Sequence, residues 1–330
     1  MKELGLVNYF LGISVTKTAS GYVLSQQKYA SELLAKAGMS NCKSYSSPMA
    51  TKSPSSSLTA ANDTLFSQPA LYRSLVGALQ YLTLTRPDLA FVVNHLCQFM
   101  HSPMTSHFLS VKRLLRYLKG TISYGLHFTA GPLLLTAYSD SDWAGNVLDR
   151  RSTTGFCVYL GPNLISWSSK KQPTVARSSS EAEYRALAQT SAELSWIGML
   201  LAELHISVPV PTLWCDNLSA IAMSHNPVFH ARTKHIEVDY HFVRERIASK
   251  KLHICHIPTS DQVADVFTKP LSVTRFQYLQ HQLNVLPSPL SLRGADKQSE
   301  TPHTQATQAA KQATVSAQKA SAYQCILEYS

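Results

Sequence analysis

Apolar positions along this chain change period several times, and each change marks an element. Residues Tyr9 to Val15 and Tyr22 to Ser25 read as strands around a Thr18-Ala19-Ser20-Gly21 turn. Gln26 to Ala37 follows as a helix begun by Ser25 and stopped by Gly38. From Ser40 to about Gln68, Ser, Thr, Pro and Asn replace the periodic positions, which predicts a linker or long surface excursion, because little burial is available to offset ordering entropy. Helical spacing returns at Ala70 to Thr85, breaks at Arg86-Pro87-Asp88, continues to about Met100 and starts again after Pro103. In this last helix Val111, Leu114, Leu115 and Leu118 form an i, i+3, i+4, i+7 stripe. Lys112, Arg113, Arg116 and Lys119 populate its other side, either as a solvated face or as a grip for phosphates.

Beyond Leu133 the texture becomes that of an α/β domain. Leu133 to Tyr138, Gly155 to Leu160 and Leu164 to Ser168 are strand-like, Ser180 to Leu204 is helical, and Thr212 to Cys215 is a further strand. A helix from Thr233 to Ser249, a strand from Leu252 to Ile257 and a short helix from Gln262 to Pro270 close it. After about Pro287 the chain is rich in Gln, Ala, Ser and Thr without an apolar face, so 287–330 is expected to be a disordered low-complexity tail.

Composition narrows the partners. The 330 residues are 45% apolar, enough for one large or two modest domains. A net charge of +10, spread along the chain, suits a long polyanion such as nucleic acid, though a basic balance also aids solubility. Six cysteines are widely spaced without a CxxC pair, and Met1-Lys2-Glu3-Leu4 is no secretory leader, so reduced thiols in an intracellular protein are expected. Leu194 to Leu204 is broken by Ser195, Gly198 and Glu203, so no membrane partner is expected.

Four acids carry the candidate chemistry. Asp140 and Asp216 each follow a predicted strand, where open α/β sheets place their ligands. An Asp in such a place also serves as a turn former or helix N-cap, and Asp216 is open to that reading. Glu183 shares its helical stripe with Leu187, Thr190, Leu194, Ile197 and Leu201, so it faces the core. Glu181, about 200° away, should face solvent. A carboxylate aimed at a sheet needs a cation, either Arg177 or Arg185 or a metal. Asp265 lies on the edge of the buried face of the last short helix if Val263, Val266 and Phe267 pack. Clustered acids repel unless cations sit between them, which points to two Mg²⁺ ions, or Mn²⁺, and to phosphodiester chemistry.

The histidines His230, His235, His241, His253 and His256 do not fit zinc spacings; Arg232, Lys234 and His235 read instead as a phosphate-binding helix start. No Ser/His/Asp elbow, Walker loop or GxGxxG is present, which removes support for acyl transfer and nucleoside triphosphate hydrolysis.

Six motifs in one order then carry a resemblance: Tyr138-Ser139-Asp140-Ser141-Asp142-Trp143-Ala144-Gly145, Arg151-Ser152-Thr153-Thr154-Gly155, Ser178 to Leu187, Cys215-Asp216-Asn217, Arg232 to Glu237, and Val263 to Lys269. They resemble the ribonuclease H domain of copia-type retrotransposon Pol polyproteins. Upstream, Tyr9 to Ile13, Leu24 to Tyr29, Tyr72 to Gly77, Thr85-Arg86-Pro87-Asp88 and Leu115 to Gly120 look like the end of the same polyprotein's reverse transcriptase.

The resemblance, which covers roughly residues 1 to 286, implies an α/β fold with a ribonuclease H-like five-stranded mixed sheet and flanking helices. A reverse transcriptase remnant (1–130: post-palm hairpin, linker, thumb and connection helices) would precede the ribonuclease H-like domain (131–286). It further implies cleavage of the RNA strand of an RNA/DNA hybrid with two Mg²⁺ ions, leaving 3′-hydroxyl and 5′-phosphate ends. Asp140 would bridge the metals, with Glu183, Asp216 and Asp265 completing the set; the preference for Asp140 over Asp142 rests on the resemblance alone. Lys112, Arg116, Lys119, Lys170, Lys171, Arg177, Arg232, Lys234 and His235 are the expected nucleic-acid contacts.

Departures from the pattern matter too. No Tyr-x-Asp-Asp exists in the chain, the polymerase aspartates being expected before Met1, so it should not polymerise DNA alone. Pro258 to Gln262 lacks the histidine many cellular ribonucleases H carry, and the tail after Pro287 reads as sequence appended by read-through. The expected setting is a cytoplasmic retroelement particle and the nucleus, with the remainder of a Pol polyprotein as partner. A hybrid-binding module without activity and a decayed genomic relic remain alternatives.

Overall fold

The computed structural model describes residues 5–51, 63–225 and 237–288. Strands β1 (Tyr9–Phe10), β2 (Ile13–Lys17) and β3 (Gly21–Ser25) begin it. The strand expected from Tyr9 to Val15 is thus two, because Leu11 and Gly12 turn the chain at positive φ (45° and 72°). A side chain at Gly12 would meet the Tyr81 hydroxyl, 2.7 Å from an ideal Cβ. Helix α1 (Gln27–Lys36) has Gln26 rather than Ser25 at its N-cap, with no side-chain cap bond.

Helices α2 (Pro69–Leu82), α3 (Ala90–Cys97) and α4 (Thr105–Gly120) follow as the apolar spacing predicts, and the α4 stripe Val111, Leu114, Leu115 and Leu118 is buried. Of the two expectations for the stretch from Ser40, residues 40–51 follow the surface excursion, pinned to α4 at a few points. Arg113 donates to Ser47 Oγ (2.9 Å), and the Arg113 and Arg116 guanidiniums lie 4.9 and 5.2 Å from the Tyr45 ring centroid. Residues 52–62 of that stretch lie outside the described residues. Arg86 and Asp88, at the break before α3, form a buried ion pair (2.8 Å) to which Tyr117 and Gln280 also donate, at 2.5 and 3.1 Å from Asp88 Oδ2.

Strand β4 (Tyr124–Thr129) was not anticipated, because Tyr-Gly-Leu-His-Phe-Thr has a glycine where alternation would show. The second half supplies β5 (Leu135–Asp142), β6 (Thr153–Leu160), β7 (Asn163–Lys171), α5 (Ser179–Glu203), β8 (Thr212–Cys215), α6 (Leu218–His225), α7 (Glu237–Ala248), β9 (His253–His256), α8 (Val273–Gln282) and β10 (Val285–Pro287). Helices α6 and α8 and strand β10 were also unanticipated; an eight-residue helix and a three-residue strand carry too few periods to read.

These strands make two sheets. The first is antiparallel throughout, β1-β2-β3-β4-β10. The second runs β7-β6-β5-β8-β9, with β5 antiparallel to β6 and parallel to β8, and β8 parallel to β9. This is the five-stranded mixed sheet of the ribonuclease H fold, as the resemblance implied. Strand β6, between β7 and β5, is covered on both faces. Phe156 and Val158 pack with Leu187, Leu194 and Ile197 of α5, while Cys157 and Tyr159 face the other way. Full burial of each large apolar side chain contributes about 1.5–3 kcal/mol.

The boundary expected near residue 130 falls between β4 and β5, yet an apolar core crosses it. Leu75, Leu79 and Leu115 share a cluster with Tyr159, Leu164, Val266 and Phe267. Trp167 Nε1 donates to the Thr83 carbonyl (3.2 Å) across the same boundary. The tail expected to be disordered lies outside the described residues, apart from Pro287 and Ser288.

Candidate active site

Strand β5 continues two residues past Asp140, so this acid sits within the strand, paired with Gly155 of β6, rather than just after it. Gly155 matters for what lies above. An added Cβ would come within 2.6 Å of Thr268 Cγ2 and 2.7 Å of Phe267 Cβ, so only glycine lets the next element lie this close to the sheet. That element is a five-residue 3-10 turn, Val263–Phe267, shorter and tighter than the helix expected from Gln262 to Pro270. Buried Gln262 ties it down by donating to the Ser139 carbonyl (2.9 Å) while accepting from Ala264 N–H (3.2 Å). Asp265 and Thr268 are thereby brought over Asp140.

The Thr268 hydroxyl donates to Asp140 Oδ2, and Lys269 Nζ stands 2.7 Å from Asp265 Oδ1 and 3.6 Å from Asp140 Oδ2. Arg275 reaches Asp265 at 3.5 Å. A cation therefore already bridges this pair of acids.

Helix α5 delivers Glu183 to the other side of the strand end, where it accepts from Ser141 N–H (3.1 Å). Its Oε2 is buried and has no hydrogen-bond partner. Glu181 corrects the sequence reading: it is 5% exposed, not solvent-facing. It lies in the first turn of α5, accepts from Arg177 N–H (2.9 Å) and pairs with Arg185 at 2.8 Å, the i, i+4 partner. The arginine pairing considered for Glu183 belongs to Glu181. Asp216 follows β8, half-buried, and accepts from Thr259 Oγ1 (2.9 Å). The capping role considered for it falls to Asn217, whose side-chain oxygen accepts from Ala220 N–H (3.0 Å).

The acids feel one another. Burial first, then Asp265 and Asp216, push Asp140 up to about 6 against the pull of Lys269 and the Thr268 hydroxyl. Glu183 is held well above the carboxylate range by burial, Asp140 and Asp216. Burial lowers the Lys269 ammonium, but Asp140 and Asp265 outweigh it and leave its pKa raised. Ligand atoms of Glu183, Cys215 and Asp216 lie within 4.8 Å of one another, a closeness no other trio of acids, thiols or imidazoles reaches among the described residues. The four sequence-predicted acids thus meet in one cluster, with Asp140 acting on Glu183 and both Asp265 and Asp216 acting on Asp140.

Asp142 is occupied differently. Its carboxylate accepts from Thr153 N–H and folds over Gly145, whose added Cβ would lie 2.0 Å from Asp142 Oδ2. Burial pushes it up to about 7. Two further residues were not singled out from the sequence: Gln262, and Gln172, which donates to Ser141 Oγ (3.2 Å), Thr154 Oγ1 (3.0 Å) and the Ala182 carbonyl (3.0 Å) and so staples β5, β6 and α5. A lone Gln between two motifs gives no sequence signal.

Of the expected phosphate contacts, Lys170, at the end of β7, and Arg177, just before α5, are exposed. Lys171 pairs with Asp149 (2.8 Å), Arg116 is bound to the Tyr45 hydroxyl (3.0 Å), and Lys112 lies over the Phe108 ring. Lys119 is half-buried in the last turn of α4. Arg232, Lys234 and His235 lie outside the described residues.

No family model matches the chain. It is 48% identical over 296 residues to the retrovirus-related Pol polyprotein from transposon RE2 of Arabidopsis thaliana, covering 89% of this chain and 20% of that protein. It is 36% identical over 285 residues to the corresponding polyprotein from transposon TNT 1-94 of Nicotiana tabacum, covering 84% of this chain and 21% of that one. The chain therefore spans about a fifth of the length of these relatives. Among solved structures, LC11-RNase H1 in complex with an RNA/DNA hybrid aligns at 19% identity and a TM-score of 0.31, over 41% of this chain and 93% of that one.

Proposed function

This chain belongs to the retrovirus-related Pol polyproteins of copia-type transposons, and we propose that it is their hybrid-cleaving part: a metal-dependent endonuclease that cuts the RNA strand of an RNA/DNA hybrid. The observation that carries this reading is the convergence of Asp140 in β5, Asp216 just after β8, Glu183 of α5 and Asp265 of the 3-10 turn near the C-terminal ends of the sheet's middle strands.

The donor set fits hard divalent cations. It is all carboxylate oxygen, and buried Glu183 Oε2 is without a partner. Asp140, Glu183, Asp216 and Asp265 would hold two Mg²⁺ or Mn²⁺ ions, which supply an activated water and neutralise charge on the leaving oxygen. The Thr268 hydroxyl fixes the orientation of Asp140. Lys269 compensates the charge of Asp140 and Asp265. Lys170 and Arg177 would grip the hybrid's phosphates, a contact weakened by salt. The products would carry 3′-hydroxyl and 5′-phosphate ends, and the natural setting would be a retroelement particle in the cytoplasm, with access to the nucleus.

Hydrolysis of labelled hybrid in Mg²⁺ tests the reading. Asp140→Asn and Asp216→Asn should abolish product while Asp142→Asn retains it; cleavage by all three alike removes the proposed site. A second reading, hybrid binding without cleavage, is favoured by Lys269, which already stands between two of the acids. It predicts binding that survives chelation and yields no product.

A further inference from the structure

We propose that Cys215, Glu183 and Asp216 form a site for a thiophilic divalent cation of the Zn²⁺ class. The sulfur of Cys215 and one carboxylate oxygen each from Glu183 and Asp216 lie within 4.8 Å of one another. Zn²⁺ takes sulfur at about 2.3 Å and carboxylate oxygen at about 2.0–2.2 Å, so modest side-chain rotation closes the three onto one ion, with water as the fourth ligand. Glu183, itself one of the three, is 6% exposed, and its Oε2 has no hydrogen-bond partner. Such a buried acceptor is costly unless something cationic meets it.

Asn217 N–H donates to Cys215 Sγ at 3.4 Å, a contact that favours a thiolate against the burial of this sulfur in an apolar cluster. Asp216 is half-buried, so the trio has a side open to solvent. When the metal–sulfur bond forms, the thiol proton leaves to the buffer, and no electrons change hands. Mg²⁺ is a poor match for sulfur, so the two classes of ion divide by ligand: oxygen alone for Mg²⁺, sulfur with two oxygens for Zn²⁺. An ion held here would withdraw Glu183 and Asp216 from the four-acid centre. The site is assayed by binding alone and stands whether or not the chain is a nuclease.

The full chain is titrated with Cd²⁺, followed by its near-ultraviolet sulfur-to-metal charge-transfer band, and with Zn²⁺ in competition against Mn²⁺ read by electron paramagnetic resonance. One equivalent of Zn²⁺ should displace Mn²⁺ from the wild type. Cys215→Ser should lose the first equivalent of the Cd²⁺ band and weaken Zn²⁺ by more than the roughly 10–100-fold that loss of an outer-sphere partner brings. Mn²⁺ binding should persist in that variant. Glu183→Gln should weaken Zn²⁺ while keeping the thiol. An undiminished band in Cys215→Ser, or Zn²⁺ no better than Mg²⁺ at displacing Mn²⁺, overturns the assignment. Should the serine variant not fold, X-ray absorption of the Zn²⁺-loaded wild type decides: one sulfur among light-atom neighbours supports the site, and none, or two or more, refutes it.

Discussion

Replacing Gly155 by alanine should disable the acid cluster more than it unfolds the protein. The new methyl would stand 2.6 Å from Thr268 Cγ2, 2.7 Å from Phe267 Cβ and 3.2 Å from the Ala264 carbonyl oxygen. Carbon atoms prefer about 3.5–4.0 Å, so two contacts fall short by roughly 1 Å. Neither neighbour can swing away, since Phe267 and Thr268 are both fully buried. The strain is therefore relieved by lifting the 3-10 turn from β6, or not at all. Overpacking of this kind costs about 1–3 kcal/mol. For a unit of this size that lowers the melting temperature by roughly 2–4 °C per kcal/mol. Displacement of about 1 Å at the turn moves Asp265 and the Thr268 hydroxyl relative to Asp140, and misplacement of that order costs about 100-fold in rate. Hybrid cleavage and Mn²⁺ affinity, measured well below the melting transition, should both fall far beyond the stability change. Gly161→Ala is the control: its Cβ would lie 2.2 Å from the Pro132 carbonyl oxygen, in the β6–β7 turn, so it should lose stability without loss of Mn²⁺ affinity. A Gly155→Ala protein with wild-type melting and metal affinity would refute the argument that this glycine sets the height of the turn.

Three further outcomes are expected. In chelator, stability should fall as pH rises from about 4 to 6, because Asp140, raised from 3.8 to about 6 by burial, binds its proton more tightly folded than unfolded. The shift corresponds to roughly 3 kcal/mol at most, with Glu183 adding in the same direction, and saturating Mg²⁺ should offset it; urea midpoints that are flat across this window in chelator contradict the assigned burial. Asp88→Ala should cost about 3–5 kcal/mol in chemical denaturation, since it leaves the Arg86 guanidinium buried without its partner, and Arg86→Met combined with it should cost less than the two singles summed. Glu181→Gln should lower the melting temperature through the lost Arg185 pair yet keep Mn²⁺ affinity, whereas Glu183→Gln should lose Mn²⁺; calorimetry that shows the opposite order would exchange the roles of the two acids.

What could be read from the sequence follows from how much of each feature is periodic. Helix α5 runs 25 residues, so the phase of its apolar stripe is well determined and Glu183 is placed facing the sheet from spacing alone. The same phase sends Glu181 to solvent, and fails. Glu181 is in the first turn, where unpaired N–H groups and the preceding loop with Arg177 fold back over it, a contact periodicity does not encode. Strand β6 is legible as a run of buried residues, but which of its faces meets α5 and which meets the first half of the chain emerges only from tertiary contact. Asp140 and Asp142 share a strand face and cannot be separated by alternation. They separate through their partners, a Thr268 hydroxyl and a Lys269 ammonium for the first, the Thr153 N–H for the second.

The placement of Asp265 depends on more than the five strands. The 3-10 turn that carries it has the sheet beneath it and other elements above: Val266 and Phe267 belong to the core that holds Leu75, Leu79 and Leu115, and Arg275 of α8 donates to the Thr259 and Gln262 carbonyls (3.1 and 3.3 Å) while reaching Asp265. Helix α8 is anchored in turn by Gln280, which donates to Asp88 and Tyr117, residues of the first half of the chain. Asp265 is thus carried by a segment lying outside the mixed sheet, while Asp140, Glu183 and Asp216 are carried on or next to β5, α5 and β8, with Thr268 and Thr259 bonding to the first and last of them. A change that loosens the buried Arg86, Asp88 and Tyr117 cluster would therefore reach the site through the turn that carries Asp265 and the Thr268 and Lys269 contacts to Asp140.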